Sequence, residues 1–153
     1  MIAPACLDLT VRLEHDLSAQ ERTQIVQGLI EHNDAAADPE SYLDLTVVVR
    51  EDGTAVGGLL GYTNWDWLFV KQLWLGEEFR GRGLGRDLVH LAEEEACRRG
   101  CQHAHLDTFD CQALPFYQSL GYSVFGQLED YPAGHTRYFL QKRGLQSRQA
   151  ASV

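Results

Sequence analysis

Residues 79 to 88, FRGRGLGRDL, set three glycines and three arginines in ten positions, directly ahead of a segment with helical apolar spacing. Glycine at 81, 83 and 85 lets successive backbone N–H groups converge on one point without Cβ atoms in the way. A helix that begins here adds about half a positive charge at its start. Arg80, Arg82 and Arg86 add guanidinium groups that can pair phosphate oxygens. The chemistry open to this stretch is the binding of a compact anion. The competing reading is a glycine-rich connector with solvated arginines.

Two nucleotide motifs would use such a cradle, and neither fits. A Walker loop ends in Gly-Lys-Ser/Thr, and this stretch has no Lys and no Ser or Thr. A Rossmann fingerprint spaces its glycines GxGxxG and follows an early strand of a parallel sheet. Here the spacing is GxGxG, after three strands joined by tight turns.

The elements that must position the cradle follow from periodicity. LTVRL (9–13) alternates as a first strand, and SAQE (18–21) is a capping box that opens a helix over about 19–32. Residues 33–42 carry turn residues without periodicity and read as a loop. LTVVVR (45–50), AVGGLLGYT (55–63) and WLFVKQLWL (67–75) predict three strands joined by short turns; the last is apolar on both faces, as a central strand is. Gly57, Gly58 and Gly61 weaken the second of these or permit close backbone approach. Leu84, Leu88, Leu91, Ala92 and Ala96 share one face of a helix that stops at Gly100. HAHLDTF (103–109) is a strand, QALPFYQSLGY a short helix with proline in its first turn, and SVFGQL (123–128) and TRYFLQK (136–142) close the fold. The order β-α-β-β-β-α-β-α-β-β predicts an α/β fold. Residues 1–143 are expected to form one domain and 144–153 a disordered tail.

A chain of 153 residues with 44% apolar residues supports one well-filled core. Its net charge of -9 works against phosphate neutralisation, so nucleic acid is not an expected partner. The clustered arginines in an acidic chain therefore point to a small anion. No apolar run approaches a membrane span, and no signal peptide is read in the first residues, which suggests a cytoplasmic protein without a membrane partner. The cysteines at 6, 97, 101 and 111 make no CxxC pair. Cys97 and Cys101 with His103 and His105 suggest zinc only superficially, since they fall on a helix end and one strand face; no metal is expected.

LGEEFRGRGLG resembles motif A of the GNAT acyltransferase superfamily, (Gln/Arg)-x-x-Gly-x-(Gly/Ala), with Arg80, Gly83 and Gly85 in place. ALPFYQSLGY is similar to the family's A-x-x-x-Y-x-x-x-G-(F/Y), through Ala113, Tyr117, Gly121 and Tyr122. The two motifs stand in register and the strand order agrees, over residues 8 to 142. WLFVKQLWL, HLDTF and LEDYPAGHTRYFL look like a bacterial subgroup whose acceptor is undefined. The resemblance implies a GNAT-like mixed, mostly antiparallel central sheet flanked by helices.

It also implies acetyl-CoA as acyl donor, held where the strand at 67–75 splays from that at 103–109. Backbone groups of Leu73, Trp74 and Leu75 would pair with the pantetheine arm, and the segment Arg80, Gly81, Arg82, Gly83, Leu84, Gly85 and Arg86 would hold the diphosphate. Direct attack of an amine on the thioester is the implied chemistry, with Tyr117 as proton donor to the leaving thiolate. Asp110 stands where many members have a cofactor-contacting Asn. No carboxylate occurs between 67 and 75 to serve as base; Asp107, His105 and His135 are the candidates. The acceptor, a small-molecule or peptide amine, would meet Asn33, Trp65, Asp66, Trp67, Tyr131 and His135, aromatics and acids that suit a cation. A non-catalytic acyl-CoA-binding regulatory module is the alternative. An RNA-associated acetyltransferase is disfavoured by the charge, and exposed strands leave a homodimer open.

Overall fold

The computed structural model describes residues 9–36, 38–111 and 113–146. They fall into two compact units, Met1–Pro39 and Glu40–Val153.

In the first unit α1 spans Ala19–Asp34. Ser18 caps it as its sequence requires: the Glu21 amide donates to Ser18 Oγ at 3.2 Å, and the Ser18 amide to Glu21 Oε2 at 3.0 Å. The strand expected at 9–13 is absent; the first strand among the described residues begins at Leu43. Alternation shows only that a segment could lie on a sheet, and a strand needs a paired neighbour to satisfy its backbone. Leu9, Val11 and Leu13 bury nothing, each more than four-fifths exposed. The order is therefore α-β-β-β-α-β-α-β-β.

The second unit is built on one six-stranded sheet: β1 (Leu43–Glu51), β2 (Thr54–Asn64), β3 (Trp67–Leu75), β4 (His103–Phe109), β5 (Ser123–Leu128) and β6 (Arg137–Arg143), in the order β1-β2-β3-β4-β6-β5. Only β3 and β4 are parallel; the other neighbours are antiparallel. That one parallel join needs a crossover, and α2 (Leu84–Arg98) provides it. Its apolar stripe of Leu88, Val89, Ala92 and Ala96 is buried in one cluster with Leu45, Leu59, Leu68, Leu106 and Leu140. The short α3 (Leu114–Ser119) adds Tyr117 and Leu120 to the same core, with Pro115 in its first turn.

Register decides which residues reach each face. In β3, Leu68 and Val70 are buried on the helix side, while Trp67 and Phe69 lie on the other. A bulge opposite Leu60/Gly61 leaves Lys71 without a partner and resets the alternation, so Leu73 and Leu75 return to the core. Glycine in β2 is explained by close approach: a Cβ on Gly61 would collide with the Phe69 carbonyl oxygen, and one on Gly58 would meet the Val47 carbonyl at 2.8 Å. Pairing of β3 with β4 ends at Val70↔Leu106. Beyond it β3 pairs only with β2, and β4 only with β6. The sheet opens there. Of the residues expected as a tail, Leu145 packs on the core and its amide donates to the Gln102 carbonyl at 2.7 Å; 147–153 lie outside the described residues.

Candidate active site

At the mouth of the opening a 3₁₀ turn, Glu77–Phe79, buries Phe79 and delivers the chain to α2. Gly81 (φ 70°) and Gly83 (φ 86°) both adopt the left-handed region, and Gly83 is the N-cap of α2. The first helical bond runs from the Asp87 amide to the Gly83 carbonyl at 3.1 Å. The amides of Leu84, Gly85 and Arg86 thus have no partner within the helix. A Cβ on Gly81 or Gly83 would meet no protein atom within 4 Å, whereas one on Gly85 would touch Phe116 at 3.4 Å. Two of the glycines are there for backbone conformation, and the third for packing.

The three arginines also differ. Arg80 Nε donates to the Leu75 carbonyl at 3.0 Å and ties the loop to the end of β3. Arg82 lies over the Phe79 ring at 5.9 Å, and Arg86 reaches Ser119 Oγ at 3.3 Å. All three side chains are exposed enough to swing toward an anion.

The opening and the cradle line one cavity of about 1400 Å³. Leu73, Trp74 and Leu75 border it on the β3 side, Asp107, Thr108 and Phe109 on the β4 side, and Gly81, Gly83 and Gly85 at the loop. An unpaired strand edge beside a cluster of free amides suits a long ligand with an amide-bearing arm and a phosphate group. Acyl-CoA has both, and the residues present fit it.

Tyr117 also lines this cavity, 6% exposed, with its ring edge-on to Phe116 and Tyr122. Its hydroxyl makes no hydrogen bond among the described residues. Burial, with the Asp107 charge second, pushes its pKa up to about 12, so it is a phenol at neutral pH. Tyr122 has the opposite fate. Its hydroxyl donates to the buried Glu93 at 2.9 Å, and Lys142 Nζ holds the same carboxylate at 2.7 Å. Burial first and Glu93 next raise the Tyr122 pKa far above the ordinary range. One tyrosine is fastened and the other faces the cavity.

On the face away from α2, a second cavity of about 590 Å³ lies beside the last β3–β4 pair. Its walls come from five strands and the segments next to them: Tyr42, Tyr62, Trp65, Trp67, Phe69 and Phe125, with Asn64, His105, Gln141 and Arg143. The rings interlock, Tyr42 against Tyr62 and Tyr62 against Phe69, each at 5.2 Å. His105 sits between Phe69 (4.7 Å) and Trp67 (5.6 Å). Burial lowers its pKa, against an opposing pull from Asp107, so the imidazole is neutral at pH 7. Asn64 accepts from the Ser41 amide at 2.9 Å, which fixes the approach to Tyr42.

Of the residues expected on the acceptor side, Trp65 and Trp67 line this pocket. Tyr131 does not. It stacks on Phe109 (6.4 Å, 3° between planes) under the Arg137 guanidinium, beside the larger cavity. Asn33 lies on α1 in the first unit, and the Asp66 carbonyl accepts the Gln102 and His103 amides. Among the base candidates, Asp107 is ion-paired with Arg137 at 2.7 Å. His135 is exposed and bonds through Nδ1 to Asp110 at 3.0 Å. Asp110 does not line the cavity; its oxygens take the Cys111 and Thr136 amides as well as His135. The net effect of those three bonds lowers its pKa, although burial, the largest single influence, opposes them.

Asp110, Cys111 and His135 bring one ligand-type atom each to within 4.8 Å of one another, all on exposed residues, whereas Cys97, Cys101, His103 and His105 form no such group among the described residues. Tyr42, Tyr62, Phe69, Phe125, Gln141 and Arg143 escape sequence reasoning. Alternation marks those on β2, β3 and β6 as facing away from α2, but only the register brings them together; Tyr42 precedes β1 and Phe125 sits at a bulge in β5.

An open strand pair, a glycine cradle at a helix start and a tyrosine facing the same cavity fit an acyl-CoA-type transferase. Residues 11–122 match the acetyltransferase (GNAT) family. An acetyltransferase of Agrobacterium fabrum is 36% identical over 126 residues, 82% of this chain and 92% of the relative. Blasticidin-S acetyltransferase of Streptomyces morookaense is 41% identical over 98 residues, 63% of this chain and 72% of that one. The crystal structure of an acetyltransferase from Bacillus cereus superposes with a TM-score of 0.80 at 30% identity, covering 86% of this chain and 97% of that one. The chain belongs to the GNAT family and is an acetyltransferase. No helix among the described residues is long and apolar enough to cross a membrane.

Proposed function

We propose that this acetyltransferase uses acetyl-CoA to acetylate the amine of a small molecule or peptide by direct attack on the thioester. The observation that carries the reading is one cavity lined both by the Gly81–Gly83 cradle and by the unbonded phenol of Tyr117. The name of the Streptomyces relative supports a small-molecule acceptor.

Acetyl-CoA supplies the acetyl group as an activated thioester. The free edge at Leu73–Leu75 binds the pantetheine arm as an added strand, through Leu73 and Trp74 above all, since the Leu75 carbonyl already accepts from Arg80. The loop amides and arginines at 80–86 hold the diphosphate. Tyr117 points its proton at the sulfur. A phenol at about 12 is a weaker acid than a thiol at about 8.5, so complete transfer runs uphill. Its contribution is a hydrogen bond that strengthens as charge builds on sulfur. The amine comes from the aromatic face, and its surplus proton goes to His105, the neutral base beside the opening. Asp107 is held by Arg137 and acts through its charge on both groups.

The test is release of free thiol from acetyl-CoA in the presence of an amine library, with product mass confirmed. Amine-dependent thiol release supports the reading. Saturable CoA binding without turnover of any amine favours the regulatory module instead.

A further inference from the structure

The smaller cavity has a composition unlike that expected of a pocket for polycations. No Asp or Glu lines it. Its charged wall is Arg143, whose guanidinium lies 4.8 Å from the centre of the Trp67 ring. The Trp67 ring therefore already faces a cation. A carboxylate does stand next to the wall, Glu40, but it interacts with the Tyr42 hydroxyl; a chain-like polyamine would still bring several ammonium groups against the Arg143 guanidinium. The aromatic walls favour a flat ring, and the volume of about 590 Å³ is that of a small-molecule site.

Register sets the spacing of the polar groups. His105 pairs with Phe69 at the edge of the opening, where the amine must arrive. Arg143 pairs with His103, two residues back along β4, about 7 Å at the usual strand rise. A six-membered ring carrying a substituent at each end spans that distance. Asn64 stands at the same end, its carbonyl oxygen taken by the Ser41 amide and its two N–H donors left for a ligand. Resting on the acetyl-transfer reading, we infer that the acceptor is an amine on a flat aromatic or heteroaromatic ring whose far side bears a carboxylate, bound by Arg143 and Asn64.

Two measurements test this. In the first, 4-methylbenzoate and 4-methylbenzylammonium, the same ring with opposite charges, are titrated in ligand-observed NMR without acetyl-CoA. The carboxylate should bind about tenfold more tightly, the worth of one charge-assisted hydrogen bond, and Arg143→Gln should erase that preference. Equal binding, tighter binding of the cation, or a preference that survives Arg143→Gln overturns the inference. In the second, 4-(aminomethyl)benzoate, benzylamine and spermidine are compared as acceptors by kcat/KM. The carboxylated ring should lead. If benzylamine or spermidine is acetylated as well or better, the acceptor class is wrong while acetyl transfer stands. If no amine is acetylated, the transfer reading fails, and the binding titration alone decides the chemistry of the pocket.

Discussion

The two cavities of this protein are built from different material. The larger one offers main chain at its mouth and along one wall: left-handed Gly81 and Gly83, free amides at the start of α2, and the edge that β3 exposes where β4 departs. The smaller one is made of side chains, most of them aromatic, from β2, β3, β4, β5 and β6 and the segments beside them. Main-chain donors look the same whatever side chain follows them, so such a site can serve one common ligand across a family. A side-chain pocket can change its contents one substitution at a time without disturbing the sheet. The difference teaches where to look for conserved chemistry and where for specificity.

The comparison breaks most visibly at Tyr117, the side chain of the larger cavity to which the proposed mechanism gives the donor role. Tyr117→Phe keeps the ring and its edge contacts with Phe116 and Tyr122. With the best amine found, kcat should fall by about 10²–10³, as for loss of one positioned donor, while the CoA dissociation constant stays within about twofold. Tyr122→Phe is the matched control. It removes the bond to buried Glu93 and should lower stability by about 1.5–3 kcal/mol in urea melts, leaving kcat unchanged. The reverse pattern would exchange the roles of the two tyrosines.

Next in size is Gly83→Val. The new side chain meets no protein atom, so the fold should survive, but a β-branched residue at φ 86° is strained by about 1–2 kcal/mol. Relaxation of that strain turns the loop amides away from the ligand. Losing one or two charge-assisted bonds corresponds to a weakening of CoA binding by about tenfold to a hundredfold, read by calorimetry against a native circular dichroism spectrum. Unchanged affinity would show that the phosphate lies elsewhere.

The same difference in material explains what was legible before the structure. The cradle is contiguous, and glycine spacing ahead of an apolar helix states both the turn and the free amides. Tyr117 was singled out through the resemblance of its motif to the family's, and the structure puts it on the wall of the same cavity. β3 and β4 run over the residues their apolar patterns predicted. What failed was pairing. LTVRL has the alternation of a strand and joins none, since a local pattern carries no information about a partner. The aromatic pocket was only half visible for the same reason. Trp65 and Trp67 stood out as tryptophans at a turn, but Arg143 reaches Trp67 only because β6 pairs with β4, and β4 with β3, in one register. Tyr131 lies on a loop whose course no periodicity describes, and its packing on Phe109 and Arg137 was not legible.

A smaller effect tests the join between the two cavities. If neutral His105 takes the amine's proton, kcat is retained at neutral pH and lost as pH falls through the histidine's lowered pKa, so the acid limb lies below the ordinary value near 6.5. Asp107 opposes that lowering; Asp107→Asn removes the opposition and should carry the limb further down. Activity at pH 7 should hardly change. The pH profile of kcat for both proteins checks this, and a limb that moves upward would remove His105 as the base.

The smallest expected effect sharpens the comparison within the cradle itself. Gly85 belongs to the same motif as Gly83, yet its absent Cβ points at Phe116 and Leu75, not into open space. The closest approach, 3.4 Å to the Phe116 ring, is an ordinary van der Waals contact, and its φ is not in the left-handed region. Gly85→Ala therefore meets neither strain nor ligand. It lies in the first turn of α2, where alanine is the better helix former by up to about 1 kcal/mol, part of which the Phe116 contact offsets. The amide of residue 85 stays where it is, and so does any bond it gives to a phosphate. Thermal melts should show a change within about 1 kcal/mol, toward greater stability. CoA affinity should remain within about threefold of the parent, less than the loss of one hydrogen bond would cause. A large drop in affinity at full stability would mean that the ligand itself presses against this position, and the main-chain account of the cradle would then have to include a third glycine kept clear for the ligand.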